Sequence, residues 1–331
     1  MNALYDVPAP AKLNLFLHVV GKRADGYHLL QSVFTLIDWA DTLHFERRAD
    51  GQLARHDRGA SLPEDDLCLR AARLLREETG CTQGADILID KRLPSGAGMG
   101  GGSSDAASTL IALNRLWGLN LSRRRLLALG LKLGADVPFF IGGQNALVEG
   151  IGEQLRPVTL PPMQFAVLKP PVSISTQQIF SSPLLAMSES LAIVAGFPAS
   201  NDLGLNPGLS LELSLGLNAG NSLSRSFGRN DLQNAAEAAS QEVVEALNLL
   251  KKTFGNSRMT GSGSAVFARV NGEKSILSQA LATLLQGVNV KANAVNASAD
   301  TEASAGWQGE ICRSLDQHPL KDWVDDGEKD C

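Results

Sequence analysis

A glycine-rich run at residues 94–105 constrains the fold of this chain more than any other feature of its sequence. The run reads Pro-Ser-Gly-Ala-Gly-Met-Gly-Gly-Gly-Ser-Ser-Asp, with five glycines in seven consecutive positions. Glycine loses more backbone entropy on folding than any other residue, and it offers no side chain to pack. Such a run is therefore typical of a place where main-chain N–H groups must come close to a ligand.

The segments before and after the run predict a strand and a helix. Residues 87–89 read Ile-Leu-Ile, and residues 103–116 carry apolar side chains at helical spacings before a stop at Gly118. A helix that begins directly after a glycine loop binds anions, because its first N–H groups are unpaired and lie at the positive end of the helix dipole. We expect Ser103 or Ser104 to cap this helix and to donate to a phosphate oxygen.

Three interpretations of the loop compete. A flexible linker is disfavoured, because periodic apolar elements flank the loop on both sides. Gly96, Gly98 and Gly101 match a dinucleotide-binding fingerprint, but the acidic residue expected about 20 positions later is missing. A loop that binds a nucleoside triphosphate is favoured. Because no Lys-Ser or Lys-Thr pair follows the glycines, such a loop must take its lysine from elsewhere in the chain.

Length, charge and cysteine content exclude several classes of protein. The 331 residues allow about two domains, and the net charge of −5 argues against a protein that binds nucleic acid by neutralising phosphates. Cys68, Cys81, Cys312 and Cys331 form no Cys-x-x-Cys pair, so we expect reduced thiols in a cytoplasmic protein without a zinc site. The sequence has no signal-peptide pattern, and its apolar runs are all shorter than the roughly 18 residues of a membrane-spanning helix. We therefore do not expect a membrane segment.

Polar residues outside the loop are candidates for chemistry. Lys12 and Asn14 share one face of a predicted strand, although a lone lysine on such a strand is more often an edge or surface residue. Asp136 lies between a helix end and a Val-Pro-Phe-Phe sequence, where the proline forces a break. Tyr27 and His28 follow a turn, and this pair predicts either a stacking platform for a planar ring or a capped turn.

Periodicity and turn residues predict the remaining elements. We expect strands at residues 11–20, 33–39, 42–47, 165–169 and 288–295, a hairpin at 144–152, a glycine turn between strands at 258–268, and helices at 63–78, 122–134, 231–254 and 273–285. Residues 181–229 lack a sustained period and are predicted to be a loop insertion. The acidic segment after Trp307 holds little that packs and is expected to be partly disordered.

Three of these features, in this order along the chain, resemble the motifs of the GHMP kinase superfamily. They are the Ala-Pro-Ala-Lys-Leu-Asn-Leu segment at residues 9–15, the glycine loop, and the Thr-Gly-Ser-Gly turn at residues 260–263. Further segments resemble the branch of that superfamily that acts on a cytidine-diphosphate-linked methylerythritol. These segments are residues 11–15, 23–28, 134–139 and 230–232.

The resemblance implies a fold, a reaction and a set of ligands. The fold is an α/β (α+β) two-domain GHMP kinase fold, with an N-terminal ribosomal-protein-S5-like domain, a C-terminal ferredoxin-like domain and the active site in the cleft. The implied divisions are residues 1–160, residues 161–310 with the insertion 181–229, and a tail at residues 311–331. The implied reaction transfers phosphate from ATP, which arrives with Mg²⁺, to the 2-hydroxyl of the methylerythritol moiety, a step of non-mevalonate isoprenoid synthesis. A protein ligand for the metal is left open, and so is the choice between a monomer and a weak homodimer.

The resemblance also assigns roles to individual residues. It implies that Lys12 and Asp136 are the catalytic pair. It implies that the cytidine-diphosphate substrate is held by Asn14, Tyr27, His28, Thr176 and Phe180. It implies that the ATP phosphates are held by Pro94, Ser95, Gly96, Ala97, Gly98, Met99, Gly100, Gly101, Gly102, Ser103 and Ser104.

Other functions stay open on the sequence alone. A sister enzyme of homoserine or mevalonate kinase type is disfavoured by the Tyr27-His28 pair and Phe180. A nucleotide-binding module without turnover is disfavoured by the presence of both Lys12 and Asp136. A dehydrogenase is a distant third, because only the glycine spacing supports it.

Overall fold

The computed structural model describes residues 1–59, 62–185, 187, 229–296 and 306–326. The loop predicted over residues 181–229 and the last residues of the chain lie mostly outside this described part. The strands are β1 (Ala3–Lys22), β2 (His28–Arg48), β3 (Leu53–Arg58), β4 (Gly84–Asp90), β5 (Ala146–Glu149), β6 (Gln154–Pro157), β7 (Gln164–Lys169), β8 (Arg258–Met259), β9 (Val266–Val270) and β10 (Gln308–Leu315). The α-helices are α1 (Leu67–Thr79), α2 (Gly101–Leu116), α3 (Arg123–Leu133), α4 (Val137–Gly142), α5 (Thr176–Phe180), α6 (Gln233–Ala239), α7 (Gln241–Phe254) and α8 (Lys274–Asn296).

The strands of the described residues form one mixed sheet centred on β2. Its main path runs β3-β4-β2-β10-β7-β9-β8, while β1 and β5 also pair with β2, and β6 pairs with β5. β3 and β4 run parallel, and the other pairings are antiparallel. The long strand β2 therefore joins the N-terminal elements to the C-terminal ones.

β1 and β2 form a long hairpin that carries Lys12. The two strands predicted at residues 33–39 and 42–47 are parts of one continuous strand β2. β1 pairs along β2 with irregular register near residues 10–12 and 14–17. Most of β1 is buried on both faces, and Lys12 itself is only 3% exposed. The general expectation that a lone strand lysine lies at the surface is therefore wrong here.

Helix α2 starts earlier than predicted, and the predicted serine caps are wrong. The helix begins at Gly101, and its N-cap is Gly100 in the left-handed conformation with φ of 72°, without a side-chain cap. Ser103 and Ser104 consequently fall inside the first turn. The Ser104 hydroxyl donates to the carbonyl oxygen of Pro10 at 2.7 Å, so it ties the helix to β1 instead of capping it.

Helix α1 also begins later than predicted. Residues 63–66 precede the helix, and Asp66 caps it by accepting from the N–H groups of Cys68 and Leu69. Helix α3 begins after Ser122, which accepts from the N–H of Arg125, and this boundary agrees with the prediction.

The single long helix predicted over residues 231–254 is two helices. Ser240 has an extended backbone with φ of −151° and ψ of 122°, and its hydroxyl accepts from the N–H of Val243 to cap α7. The Ser240 side chain competes with the helical backbone for hydrogen bonds, which explains the break between α6 and α7. The apolar stripe continues across this break, so the pattern predicted a single helix.

The last predicted strand is wrong, and so is the predicted lack of packing after Trp307 for the described residues 308–326. Residues 288–295 continue helix α8, which runs to Asn296. The final strand is β10, which pairs with β7 along its length and meets β2 at its end. Ile311 and Cys312 of β10 are buried in the core. Residues 288–295 alternate apolar and polar side chains, a short pattern that fits either a helix or a strand, so periodicity alone did not distinguish the two.

Helices cover the sheet in two groups. Helices α1 to α4 pack with the N-terminal strands around one apolar cluster, and α6 to α8 pack with β7, β9 and β10 around another. A third cluster lies between β1, β7 and β9 and includes Ala97 and Met99 of the glycine loop. The loop is thus anchored at the junction of the two groups by its two apolar side chains.

Candidate active site

A cleft of about 620 Å³ opens where β1, the glycine loop, helix α4 and the turn at residues 260–263 meet. It gathers residues from distant parts of the chain. The predicted site residues that line it are Lys12, Asn14, Tyr27, His28, Gly96, Gly98, Gly100, Asp136, Thr176 and Phe180. Ala97 and Met99 point into the core, and residues 101–104 form the first turn of α2. Every predicted site residue outside the loop therefore lines the cleft, and from the loop Gly96, Gly98 and Gly100 do so as well.

Lys12 and Asp136 converge in this cleft. The Lys12 Nζ atom lies 3.6 Å from Asp136 Oδ2, and it donates a hydrogen bond to Asn14 Oδ1 at 2.7 Å. It also lies 4.4 Å from the centroid of the Phe34 ring, a cation–π contact. Burial lowers the pKa of the Lys12 ammonium, and the neighbouring Asp136 carboxylate opposes that shift. The site thus holds a buried cation beside a carboxylate.

Asp136 is placed by a short buried helix. It is the N-cap residue of α4, whose second residue is Pro138, and its own side chain makes no capping hydrogen bond. Phe139 and Phe140 anchor the helix in the core with ring centroids 5.1 Å apart in an edge-to-face contact. The Asp136 side chain is 33% exposed towards the cleft. The aromatic anchor therefore fixes the helix, while the carboxylate is left accessible.

The glycine loop borders the cleft at Gly96, Gly98 and Gly100. Its carbonyl oxygens bind protein: Lys12 N–H donates to Met99 O at 3.0 Å and Ala265 N–H donates to Ala97 O at 3.2 Å. Within the described residues, no protein acceptor is found for the N–H groups of residues 96–103. Free amides at the start of a helix form a site for an anion such as a phosphate.

Gly98 must be glycine for the loop to pack. Its φ is 71°, and a Cβ atom there would lie 2.4 Å from the Thr260 carbonyl oxygen. The resemblance implies that this loop holds the ATP phosphates, and an alanine at this position forces the loop to shift. We therefore expect Gly98→Ala to raise the KM for ATP by about tenfold or more. The measurement is steady-state kinetics with varied ATP.

Gly118→Ala is the matched control for this substitution. Gly118 has a φ of 69°, and a Cβ atom there would meet no atom of the described residues within 4 Å, so backbone strain is added without a clash and outside the cleft. We expect this variant to lose some stability and to keep its KM for ATP. Equal KM values in the two variants would contradict the packing account of Gly98.

A buried ion cluster holds the start of the loop, and the sequence analysis missed it. Lys91 Nζ lies 2.5 Å from Asp41 Oδ2 and 2.7 Å from Asp105 Oδ2, and all three side chains are buried. The other oxygen of Asp41 accepts from the N–H groups of Arg92 and Leu93. Burial raises the pKa of Asp105 to about 7. Lys91 was missed because it precedes the glycines, whereas the lysine of the common triphosphate-binding motif follows them.

The other end of the cleft carries the aromatic residues. The rings of His28 and Phe180 stack with centroids 5.2 Å apart and an angle of 23° between planes. Tyr27 is 60% exposed at the rim, and its N–H donates to Asp25 Oδ1 at 3.2 Å, as in a capped turn. The Thr176 hydroxyl lies 2.9 Å from the Ser262 hydroxyl. His28, not Tyr27, therefore lies on Phe180. The Asp25 contact agrees with the capped-turn interpretation of the Tyr27-His28 pair, and the stacking platform for a planar ring stays a prediction.

Comparisons with known proteins place the chain in a family. A family profile described as "GHMP kinases N terminal domain" matches residues 66–144, and one described as "GHMP kinases C terminal" matches residues 214–283. A relative named 4-diphosphocytidyl-2-C-methyl-D-erythritol kinase, from Methylibium petroleiphilum, is 56% identical over 325 residues, which are 98% of this chain and 99% of that protein. The chain belongs to this family of GHMP kinases. A relative of the same name from Verminephrobacter eiseniae is 49% identical over 330 residues, again 98% of this chain and 99% of that protein.

Solved structures agree with this family assignment. A 4-(cytidine 5'-diphospho)-2C-methyl-D-erythritol kinase superposes with a TM-score of 0.67 at 29% identity, covering 94% of this chain and 98% of that one. Homoserine kinase from Cytophaga hutchinsonii has a TM-score of 0.60 at 17% identity, covering 96% and 95%, and shows the shared fold alone. The predicted GHMP kinase fold and the predicted class, a small-molecule kinase, are confirmed.

In the described ranges, three or more His, Cys, Asp or Glu side chains nowhere come together as a metal site would require. Across the same ranges, every helix is too short or too polar to span a bilayer.

Proposed function

We propose that this kinase transfers the γ-phosphoryl group of ATP to the 2-hydroxyl of 4-diphosphocytidyl-2-C-methyl-D-erythritol, yielding the 2-phosphate and ADP for isoprenoid precursor synthesis. The observation that carries the proposal is the 3.6 Å approach of Lys12 Nζ to Asp136 Oδ2 in the cleft formed with the free loop amides. The names and near-full-length identities of the relatives support the choice of substrate.

The glycine loop and the start of α2 bind the ATP phosphates in this proposal. The N–H groups of residues 96–103 have no protein acceptor in the described chain, so they are available to phosphate oxygens. The dipole of the 16-residue helix α2 adds a positive end at the same place. Main-chain donors that are already oriented lose little entropy when the triphosphate binds.

Lys12 and Asp136 act at the reacting atoms. Phosphoryl transfer depends mainly on in-line placement and on neutralising charge at the transferring oxygens. Asp136 accepts the proton of the attacking hydroxyl, or orients that hydroxyl, because its carboxylate is open to the cleft. Lys12, held beside it, balances the negative charge that develops on the transferring group.

Magnesium is proposed to enter as the complex with ATP. The carboxylates that line the cleft, counted over the described residues, are Asp25 and Asp136. This sparse donor set fits an ion that keeps several waters and takes most of its ligands from phosphate oxygens. When bound, the ion lowers the charge on the triphosphate.

The aromatic end of the cleft is proposed to hold the cytidine diphosphate. Tyr27 and Phe180 are assigned to the faces of the cytosine, His28 to its polar edge, and Thr176 and Asn14 to the rest of the substrate. Because His28 stacks on Phe180, cytosine must displace that contact to enter between Tyr27 and Phe180.

Tyr27→Ala tests the base pocket. Because stacking on one base contributes about 1–3 kcal/mol, we expect the KM for the cytidine substrate to rise about tenfold. The KM for ATP should stay unchanged. Tyr5→Ala is the control, since Tyr5 is also 60% exposed but lies outside the cleft. An equal rise in both KM values would remove Tyr27 from the base pocket.

A substrate panel tests the proposed reaction against its rival, a homoserine- or mevalonate-type kinase. Purified protein is given ATP, Mg²⁺ and either the cytidine substrate, homoserine or mevalonate, and kcat/KM is measured for each. We expect a preference of about 10³-fold or more for the cytidine substrate, because a pocket built for a polar base leaves its groups unpaired with smaller alcohols. Comparable values for homoserine or mevalonate would overturn the proposed substrate.

The proposal extends to location, which we give as the cytoplasm. Three cysteines of the described residues, Cys68, Cys81 and Cys312, are free thiols. Reduced thiols are typical of proteins kept in a reducing compartment. The partners proposed are the two small molecules, with neither nucleic acid nor membrane among them; whether the chain is a monomer or a weak homodimer stays open.

A further inference from the structure

The Asn14 side chain is part of a buried ring of hydrogen bonds. Its Oδ1 accepts from Lys12 Nζ at 2.7 Å, and its Nδ2 donates to Ser32 Oγ at 3.0 Å. Thr260 Oγ1 accepts from the Asn14 main-chain N–H at 3.0 Å and donates to Asn14 Oδ1 at 3.3 Å. All four residues are at most 3% exposed. Each polar atom of this amide therefore has a protein partner.

The three neighbours all select the same orientation of the Asn14 amide. Ser32 Oγ donates to the Phe16 carbonyl oxygen at 2.5 Å, so towards Asn14 it acts as an acceptor and faces the NH₂ group. Lys12 carries only donors and must face the oxygen. Thr260 uses its lone pair on the Asn14 N–H, so its proton points to the same oxygen.

Thr260 is itself held firmly by residues that the mechanism leaves unused. Asn230 Nδ2 donates to the carbonyl oxygens of Met259 and Gly261 at 2.9 and 2.8 Å, on either side of Thr260. The Thr260 N–H donates to Ala265 O at 3.1 Å. Asn230 belongs to the segment 230–232, one of those whose sequence resembles a branch of the GHMP kinase superfamily. The C-terminal half thus supplies a fixed hydroxyl to a strand 246 positions earlier in the chain.

We propose that Ser32 and Thr260 are positioning residues, which lock the Asn14 amide with its oxygen towards Lys12 and so hold the ammonium group beside Asp136. The inference rests on the proposed function for its kinetic consequence. In a flipped amide, the NH₂ group would face the ammonium and repel it. A displacement of about 1 Å at a reacting group costs up to about 100-fold in rate. Asn14 then contributes to catalysis through Lys12 rather than only through the substrate.

Thr260→Val is the principal test, because valine keeps the shape and removes the hydroxyl. We expect kcat to fall about tenfold, while the KM values for ATP and for the cytidine substrate stay within about twofold. Thr260→Ser, which keeps the hydroxyl, should recover most of kcat. Thr109→Val is the matched control: Thr109 is fully buried and donates to the Asp105 carbonyl oxygen within α2, outside the ring.

Ser32→Ala and the double variant add a readout that a merely structural role would not move. Ser32→Ala removes the hydroxyl that accepts from Asn14 Nδ2, and it should also lower kcat. Because both residues act through one amide, the double variant should lose less than the product of the two single effects. If Thr260→Val does not fold, Ser32→Ala with unchanged KM values and reduced kcat still carries the test.

A measurement without substrates separates this inference from the proposed function. Lys12 is labelled with a limiting amount of acetic anhydride near pH 9, and its acetylation rate is read by mass spectrometry. Loss of a well-placed acceptor leaves more of the amine neutral, so Thr260→Val should raise the rate about threefold and Thr109→Val should not. Inactivity of the unsubstituted protein towards the cytidine substrate would overturn the proposed function alone. Two results would overturn the positioning role. One is an unchanged Lys12 acetylation rate in Thr260→Val together with a kcat within about twofold of the unsubstituted protein. The other is a fall in kcat that is matched by an equally large rise in both KM values.

Discussion

Replacing Asp136 with asparagine is expected to lower kcat about 100-fold or more while leaving the KM for ATP nearly unchanged. The amide cannot accept the proton of the attacking hydroxyl, whereas the phosphate-binding amides are untouched. The fold should be preserved, because the Asp136 side chain makes no capping hydrogen bond and asparagine is an equally good N-cap residue. The check combines steady-state kinetics with a thermal unfolding curve.

Asp66→Asn provides the opposite pattern and serves as control. Asp66 caps α1 through two N–H groups and lies 2.8 Å from Arg55 Nη1, but it is outside the cleft. Because asparagine keeps the cap but loses the buried ion pair with Arg55, we expect this variant to lose stability and to keep kcat. Near-normal turnover in Asp136→Asn, with Asp66→Asn behaving as expected, would remove Asp136 from the chemistry.

Replacing Lys12 with methionine is expected to lower kcat about 10²- to 10³-fold, since a charge placed where negative charge develops is lost. Stability should change far less than kcat. Burial lowers the pKa of the Lys12 ammonium, so an apolar side chain of similar length relieves a desolvation cost. The loss of the Lys12 contacts to Asn14 and Asp136 opposes that gain. We therefore expect kcat and the melting temperature, measured on the same preparation, to change independently.

Lys132→Met is the control for the loss of a lysine. Lys132 pairs with Glu78 at 3.1 Å on the surface, with 57% of its side chain exposed, and it is not among the residues that line the cleft. We expect a change in stability within about 0.5 kcal/mol and unchanged kinetics. A Lys12→Met variant that unfolds would show instead that the lysine is needed for the fold.

The glycine loop shows what the sequence made predictable. Glycines at alternate positions predicted a main-chain anion site. Among the described residues, the N–H groups of residues 96–103 have no protein acceptor, and Gly96, Gly98 and Gly100 are all at positive φ. The serine cap failed for a related reason. Gly100 takes the cap position in a left-handed conformation, and a propensity argument that favours Ser103 or Ser104 does not see that conformation.

Contacts between distant segments were beyond pattern reasoning. The proposed catalytic pair, Lys12 and Asp136, came from resemblance, and only the fold shows that β1 and the start of α4 meet. Lys91 was missed because its partners, Asp41 and Asp105, lie 50 and 14 positions away. β10 was missed because it is half-polar, and its stability comes from pairing with β7 and β2 rather than from its own propensity. The Asn14 ring closes only when Thr260 arrives from the C-terminal half.

The central claim is that Lys12, Asp136 and the loop amides form one phosphoryl-transfer site for a cytidine-linked alcohol. The most direct test is ADP release by the purified chain with ATP and Mg²⁺, with and without 4-diphosphocytidyl-2-C-methyl-D-erythritol. The account predicts ADP formation that depends on this substrate and matches the amount of phosphorylated product one to one. ADP formation at the same rate without the substrate, or ATP binding without any turnover when it is present, would contradict it.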